Sequence, residues 1–156
     1  MNVKSFLALG SNIGDSKGYL QTAIEQLRQV PGIASLTSSS LYRTPPWGKL
    51  DQPDFYNCVV EVTTSLTPHQ LLAACQQIET QLHRQRNEVW GPRTLDIDII
   101  WYDNQAICTP DLIIPHPYLY QRAFVLVPLA EIATDFQCAC NRLASEDIQT
   151  IQQESW

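Results

Sequence analysis

Asp96 and Asp98 alternate with Leu95, Ile97 and Ile99 in the stretch Trp90-Gly91-Pro92-Arg93-Thr94-Leu95-Asp96-Ile97-Asp98-Ile99-Ile100. This period of two predicts a β-strand. Successive strand side chains point to opposite faces, so the two carboxylates share one face, spaced roughly 7 Å along it. The aliphatics on the other face imply a strand built into a core. Two carboxylates held side by side repel unless a cation lies between them. An oxygen-only pair suits Mg²⁺, which is usually bound by one or two carboxylates plus substrate phosphates. Arg93, three residues before Asp96, offers a guanidinium fork that suits phosphate. Together these residues read as a metal–polyphosphate site. An Asp-x-Asp by itself is also compatible with an edge strand that has a solvated polar face.

The elements that must position these residues follow from periodicity and punctuation. Residues 3–9 read as a first strand, and the Gly/Asn/Asp content of 10–15 as a loop. That loop lacks the Gly-Lys-Ser/Thr ending of a phosphate-cradling P-loop. A helix is predicted over 17–30, with Leu20, Ala23, Ile24 and Leu27 on one face and Pro31-Gly32 ending it. A second strand is predicted over 33–43. The loop from Thr44 to Pro53 follows, because its prolines restrict themselves and their predecessors. Residues 56–64 form a third strand. Thr67 caps a second helix with Pro68 in its first turn, and Leu71, Leu72, Cys75, Ile78 and Leu82 make its apolar face. A polar loop over 84–90 leads to the Asp-x-Asp strand.

The order β-α-β-β-α-β predicts an α+β, ferredoxin-like core: an antiparallel sheet with two helices on one face. Beyond it, Asn104-Gln105 reads as a turn, 106–108 as a short hairpin return and 112–117 as an extended apolar loop. A helix lies within 122–132, with Pro128 expected in its first turn or at a kink. Ser145 is expected to cap a last helix over 146–153. This C-terminal hairpin and helical extension completes one predicted domain, 1–156.

Composition narrows the function further. Apolar residues make up 44% of the 156 and charged residues 17%, ordinary values for a globular chain. No apolar run approaches the roughly 18 residues of a membrane span, and the N-terminus does not read as a signal peptide, so a cytoplasmic protein is expected. The formal charge of −6 argues against nucleic-acid binding. Yet Arg84, Arg86 and Arg93 gather before the Asp-x-Asp strand, with Arg122 later, which reads as a local anion site. The five cysteines lack zinc-site spacing and default to free thiols. Thr44, Pro45, Trp47, Phe55 and Phe124 could wall a flat heterocycle whose edge Asn57 reads; aromatics also serve as plain core. His116, between prolines, reads from its surroundings as a structural residue. Monomer is the default assembly.

Gly91-Pro92-Arg93-Thr94-Leu95-Asp96-Ile97-Asp98-Ile99-Ile100 resembles the signature of the 6-hydroxymethyl-7,8-dihydropterin pyrophosphokinases, and Ala8-Leu9-Gly10-Ser11-Asn12 also matches that family. The matching segments run from about residue 6 to about residue 132. The resemblance implies transfer of pyrophosphate from ATP to the hydroxymethyl group of 6-hydroxymethyl-7,8-dihydropterin in folate biosynthesis, with release of AMP. It implies two Mg²⁺ ions held by Asp96 and Asp98, which form the catalytic set with Arg84 and Arg93. It assigns ATP contacts to Gln76, Glu79, Arg84, Trp90, Arg93, Ile99, His116 and Arg122, with Arg86 in the same loop. It assigns pterin contacts to Thr44, Pro45, Trp47, Phe55, Asn57 and Phe124. Some relatives carry tyrosine at Phe55 and arginine at Val89. Two other readings remain, of which only the first requires Asp96 and Asp98. One is a two-metal nucleotide phosphohydrolase, which needs no aromatic pocket. The other is a ferredoxin-like nucleotide-binding module without turnover.

Overall fold

The computed structural model describes residues 2–45, 51–82, 95–143 and 145–156. Its centre is a six-stranded sheet. The strands are β1 (Val3–Ser11), β2 (Ile33–Ser38), β3 (Leu41–Thr44), β4 (Phe55–Thr64), β5 (Asp96–Tyr102) and, at the C-terminus, β8 (Gln152–Glu154). The order is β5-β1-β4-β3-β8, with β2 also on β4, and every pairing is antiparallel. Helices α1 (Ser16–Arg28) and α2 (Pro68–Gln81) complete the ferredoxin-like βαββαβ core. Asp15 caps α1 by accepting from the Gly18 N–H, and Thr67 with Gln70 forms a reciprocal capping box at α2.

The two faces of the sheet have different covers. Leu7, Leu9, Cys58, Val60, Val62, Ile97 and Ile99 pack with Leu20, Leu27, Leu71, Cys75 and Ile78 of α1 and α2. Phe6, Val59 and Ile100 face the opposite way, against Val125, Leu126 and Leu129 of α3 (Ala123–Ile132). Among the described residues helix α3 covers only part of this second face, and the rest of the face carries the site.

Several elements differ from expectation. The single strand expected over 33–43 is broken into β2 and β3. Ser38 pairs with Val60 but Tyr42 with Asn57, so one extra residue is accommodated on this side. The Ser39 hydroxyl substitutes for a ladder carbonyl there, accepting from the Val59 N–H at 3.0 Å, while the Ser39 N–H donates to the Val59 carbonyl at 2.8 Å. Strand β1 runs on through Gly10 and Ser11, which composition assigns to a loop, because β4 pairs with both residues and β5 pairs with Gly10. The segment expected as an extended loop contains β7 (Leu112–Ile114), paired with β6 (Ile107–Thr109) as a separate hairpin. Pro128 lies inside α3, past its first turn. Its missing N–H and the ring clash cost about 3 kcal/mol, which burial of the surrounding apolar side chains outweighs. The last helix, α5 (Ser145–Gln149), is shorter than expected, and Ser145 is its first residue rather than its cap. The chain then turns into β8. A 3₁₀ turn over Thr134–Phe136 and a short helix α4 (Gln137–Asn141) also lie in the C-terminal extension. Among the described residues no helix is long and apolar enough to cross a membrane.

Candidate active site

This part of the face is organised in rows across three strands. Gly10 of β1 pairs with Asn57 of β4 on one side and with Asp96 of β5 on the other. In the next row Ala8 stands between Val59 and Asp98. Asp96 and Asp98 are thus flanked on β1 by a hydrogen atom and a methyl group, which leaves room above the carboxylates. Both are half-buried, while Ile97 and Ile99 point into the α1/α2 core.

A cavity opens over these rows. Its floor includes Ala8, Gly10, Asn57, Asp96 and Asp98, and its walls are Thr44, Pro45, Phe55, His116, Leu119, Arg122, Phe124 and Val125. Thr44 and Asn57 are nearly buried, and their side chains approach at 3.5 Å. Nine of the expected site residues therefore converge on one cavity: Thr44, Pro45, Phe55, Asn57, Asp96, Asp98, His116, Arg122 and Phe124.

Local structure places the walls. Phe6 pairs with Trp101 and Leu7 with Ile99, so Ile100 is the extra residue of a bulge in β5. Its carbonyl accepts from the His116 N–H at 3.1 Å, which ties the segment after β7 to the strand of the two aspartates. The His116 ring accepts the Tyr118 N–H at Nδ1, 3.1 Å away. With Nδ1 engaged as acceptor, the neutral ring carries its proton on Nε2. Burial, and then the nearby Arg122 charge, lower the His116 pKa against a smaller opposing pull from Asp96. The lowered pKa favours the neutral ring, with an N–H at Nε2. The Arg122 guanidinium lies 4.9 Å from the ring centre of Tyr118 and 5.6 Å from that of Phe124, within the range of cation–π attraction. Asn12, at the end of β1, donates to Gln52 Oε1 at 2.9 Å and to the Pro53 carbonyl at 3.0 Å. It thereby holds the approach to β4, which carries Phe55 and Asn57.

Three expected ATP contacts lie elsewhere. Glu79 is only 5% exposed, on the α2 side of the sheet. Its Oε2 accepts from the Ile97 N–H at 2.8 Å, between the two aspartates. Ile99 is 4% exposed in the α1/α2 core and borders a second, shallower depression with Leu72, Asp98, Leu112 and His116. Gln76 is exposed on α2 and lines neither cavity. Trp47, Arg84, Arg86, Trp90 and Arg93 lie outside the described residues. The cavity also contains Ala8 and Gly10, which the sequence reading did not assign; the signal for Gly10 was its place in the period-two register of β1.

The cavity pairs an oxygen-rich end with an aromatic one, as transfer between a polyphosphate and a flat acceptor would require. The comparisons agree. A Methylorubrum extorquens protein, 2-amino-4-hydroxy-6-hydroxymethyldihydropteridine pyrophosphokinase, is 49% identical over 132 residues, covering 85% of this chain and 84% of its own length. A Bacillus subtilis protein of the same name is 49% identical over 132 residues, covering 85% of this chain and 79% of its own. The crystal structure of wild-type Plasmodium falciparum HPPK-DHPS with pterin and p-hydroxybenzoate matches 98% of this chain with a TM-score of 0.75 at 16% identity, a likeness of fold. This chain spans 46% of that protein's length. With the profile of the 7,8-dihydro-6-hydroxymethylpterin-pyrophosphokinase (HPPK) family matching residues 6–134, the chain belongs to that family.

Proposed function

We propose that this chain transfers pyrophosphate from ATP to the hydroxymethyl group of 6-hydroxymethyl-7,8-dihydropterin. The observation that carries the reading is the shared cavity, with Asp96 and Asp98 at one end and Asn57, Phe55 and Phe124 at the other. Release of AMP requires that the bond between the α-phosphorus and its bridging oxygen to the β-phosphorus stay on the AMP side. The hydroxymethyl oxygen forms a new bond to the β-phosphorus, the bridging oxygen leaves with AMP, and the hydroxyl proton passes to solvent.

The chain's own part is positioning and electrostatics. Phe55 and Phe124 stack on the ring, and Asn57 and Thr44 hydrogen-bond to its edge. The neutral His116 donates from Nε2 to a phosphate oxygen, and Arg122 neutralises charge on the triphosphate. Arg84, Arg86 and Arg93 serve the same end, and Trp90 is assigned to the nucleotide and Trp47 to the pterin by the family resemblance. Gln76 and Ile99 contact the nucleoside, Ile99 from the second depression. Glu79 holds β5 in place from behind. Asp96 and Asp98 fit two Mg²⁺ ions, because their donors are all oxygen and Gly10 and Ala8 leave space beside them. Such ions supply charge neutralisation at the transferring phosphates. Residues 1–156 act as one pyrophosphokinase domain, a cytoplasmic monomer whose partners are these small molecules.

The test is AMP release from ATP and Mg²⁺, with and without the pterin, for the wild type, Asp96→Asn and Asp98→Asn. The reading expects AMP only with the pterin and at least about a hundredfold loss in each variant. Inorganic phosphate released without pterin would replace it with a phosphohydrolase. Nucleotide binding with no turnover by folded protein would replace it with a binding module.

A further inference from the structure

Two rails frame the aromatic end of the cavity. On α3, Phe124 and Glu131 are seven residues apart, close to two helical turns, so they lie on one stripe of the helix. On the sheet, Thr44 and Tyr42 of β3 share one face, and Ser40 immediately precedes β3. Phe124 and Thr44 line the cavity; Ser40, Tyr42 and Glu131 do not.

At the end remote from the cavity the rails are joined through one carboxylate. Both oxygens of Glu131 accept from the Ser40 N–H at 3.1 Å. Oε2 also accepts from the Ser40 hydroxyl at 3.0 Å, and Oε1 from the Tyr42 hydroxyl at 2.5 Å. Tyr42 is 7% exposed. Burial, and then the Glu131 hydrogen bond and charge, raise its pKa, with a lesser push from Cys140, so the phenol stays a donor throughout the neutral range. The junction is braced from the C-terminus as well: Gln153 donates to the Ser40 hydroxyl at 3.2 Å and the Trp156 indole to the Ser39 carbonyl at 3.2 Å.

The rest of the α3 contact is apolar, through Val125, Leu126, Leu129 and Ala130. Apolar contact is non-directional and resists separation better than sliding. Hydrogen bonds are directional and set position along the helix axis. Pro128, moreover, has no N–H to give the Phe124 carbonyl, so the turn bearing Phe124 is held less firmly from within.

We propose that Glu131 is a positioning residue for the acceptor: by latching α3 to the β2–β3 junction, its carboxylate sets the gap between Phe124 and Thr44 that receives the pterin ring. This rests on the pyrophosphokinase reading. Glu131 touches neither substrate, and the carboxylates at the nucleotide end sit on β5, which the latch does not contact; of the proposed ATP contacts among the described residues only Arg122, at the N-cap, belongs to α3. Loss of Glu131 should therefore weaken pterin binding far more than ATP binding.

Glu131→Ala, Glu131→Gln and Tyr42→Phe are compared with the wild type by steady-state kinetics in both substrates. Fluorescence titration with the pterin is run in the presence of α,β-methylene-ATP, whose bridge cannot be cleaved. Glu131→Ala is expected to raise the pterin KM and Kd about tenfold and to leave the ATP KM within about twofold. Glu131→Gln keeps an acceptor oxygen and should recover most of the loss. Tyr42→Phe removes one bond of the latch and should shift pterin affinity in the same direction by less; it decides the matter if circular dichroism shows Glu131→Ala unfolded. An unchanged pterin KM in folded variants, or pterin and ATP KM rising in parallel, would overturn the latch. A wild type that forms no AMP with the pterin would instead overturn the activity on which the latch depends.

Discussion

Gly10 lies in the cavity floor, and enlarging it by one methyl group should uncouple stability from acceptor binding. A Cβ built there would meet Asn57 Oδ1 at 2.7 Å and the Tyr56 carbonyl at 3.8 Å. The backbone at Gly10 is not in the left-handed region, unlike Gly14 and Gly32, so alanine brings no conformational strain. The conflict is local: an ordinary carbon–oxygen contact lies roughly 0.6 Å farther out. The end of one short side chain can yield that distance, so overpacking should cost only about 1 kcal/mol of stability. The displaced group is nevertheless the amide proposed to read the heterocycle. Leaving its hydrogen bonds unmade costs about 1–3 kcal/mol, or roughly 5- to 150-fold in pterin affinity. The assay is pterin titration with α,β-methylene-ATP, beside thermal unfolding, for Gly10→Ala, Asn57→Ala and the double variant. If Gly10→Ala acts through Asn57, it should cost almost nothing further in the Asn57→Ala background. Wild-type pterin affinity in folded Gly10→Ala, or fully additive losses in the double variant, would refute the reasoning.

Glu79→Ala strands the buried Ile97 N–H and should cost about 1–3 kcal/mol in denaturant unfolding; a change within about 0.5 kcal/mol would show that Glu79 does not secure β5. Burial pushes the Cys58 and Cys75 thiols up to about 12, aided at Cys75 by Glu79 and Asp98, whereas Cys108 and Cys138 are exposed. Iodoacetamide at mildly alkaline pH should therefore modify Cys108 and Cys138 first by mass spectrometry, and early labelling of Cys75 would contradict its burial. The lowered pKa of His116 means that, below the ordinary histidine value of 6.5, the unfolded chain takes up a proton before the folded one. Its contribution to stability is then full above 6.5 and declines as pH falls toward the folded pKa. His116→Gln should flatten that part of the stability–pH curve, and an unaltered slope would refute the assignment.

What was legible in the sequence was whatever burial imposes on side-chain pattern. Leu95, Ile97 and Ile99 alternate because one face of β5 meets α1 and α2, and that alternation placed both aspartates on the other. Thr67-Pro68 marked α2 because capping chemistry is local. What escaped the reading was fixed by partners distant in sequence. Gly10 and Ser11 look like turn residues and become strand because β4 pairs with both and β5 with Gly10. Gln152, Gln153 and Glu154 carry no apolar pattern, since β8 joins the sheet by backbone pairing with β3. The break at Ser39 depends on a hydroxyl finding the Val59 amide. The heterocycle walls were assigned through family resemblance, because composition cannot distinguish a ring that lines a cavity from one that fills a core. Glu79 shows the converse: a polar residue beside an apolar helical stripe, buried to serve the backbone of β5.

The row Asn57, Gly10 and Asp96 crosses three hydrogen-bonded strands, and neighbouring strands stand about 4.8 Å apart. The backbone positions of Asn57 and Asp96 are thus roughly 10 Å apart, two strand spacings. A ladder of backbone hydrogen bonds neither stretches nor compresses, so the sheet is a gauge of fixed length. On the proposed reading, an acceptor held at Asn57 presents its hydroxyl to the phosphates only if its own length fits that interval. Side-chain substitutions can change which ring edge is recognised, but the interval belongs to the main chain and persists through them.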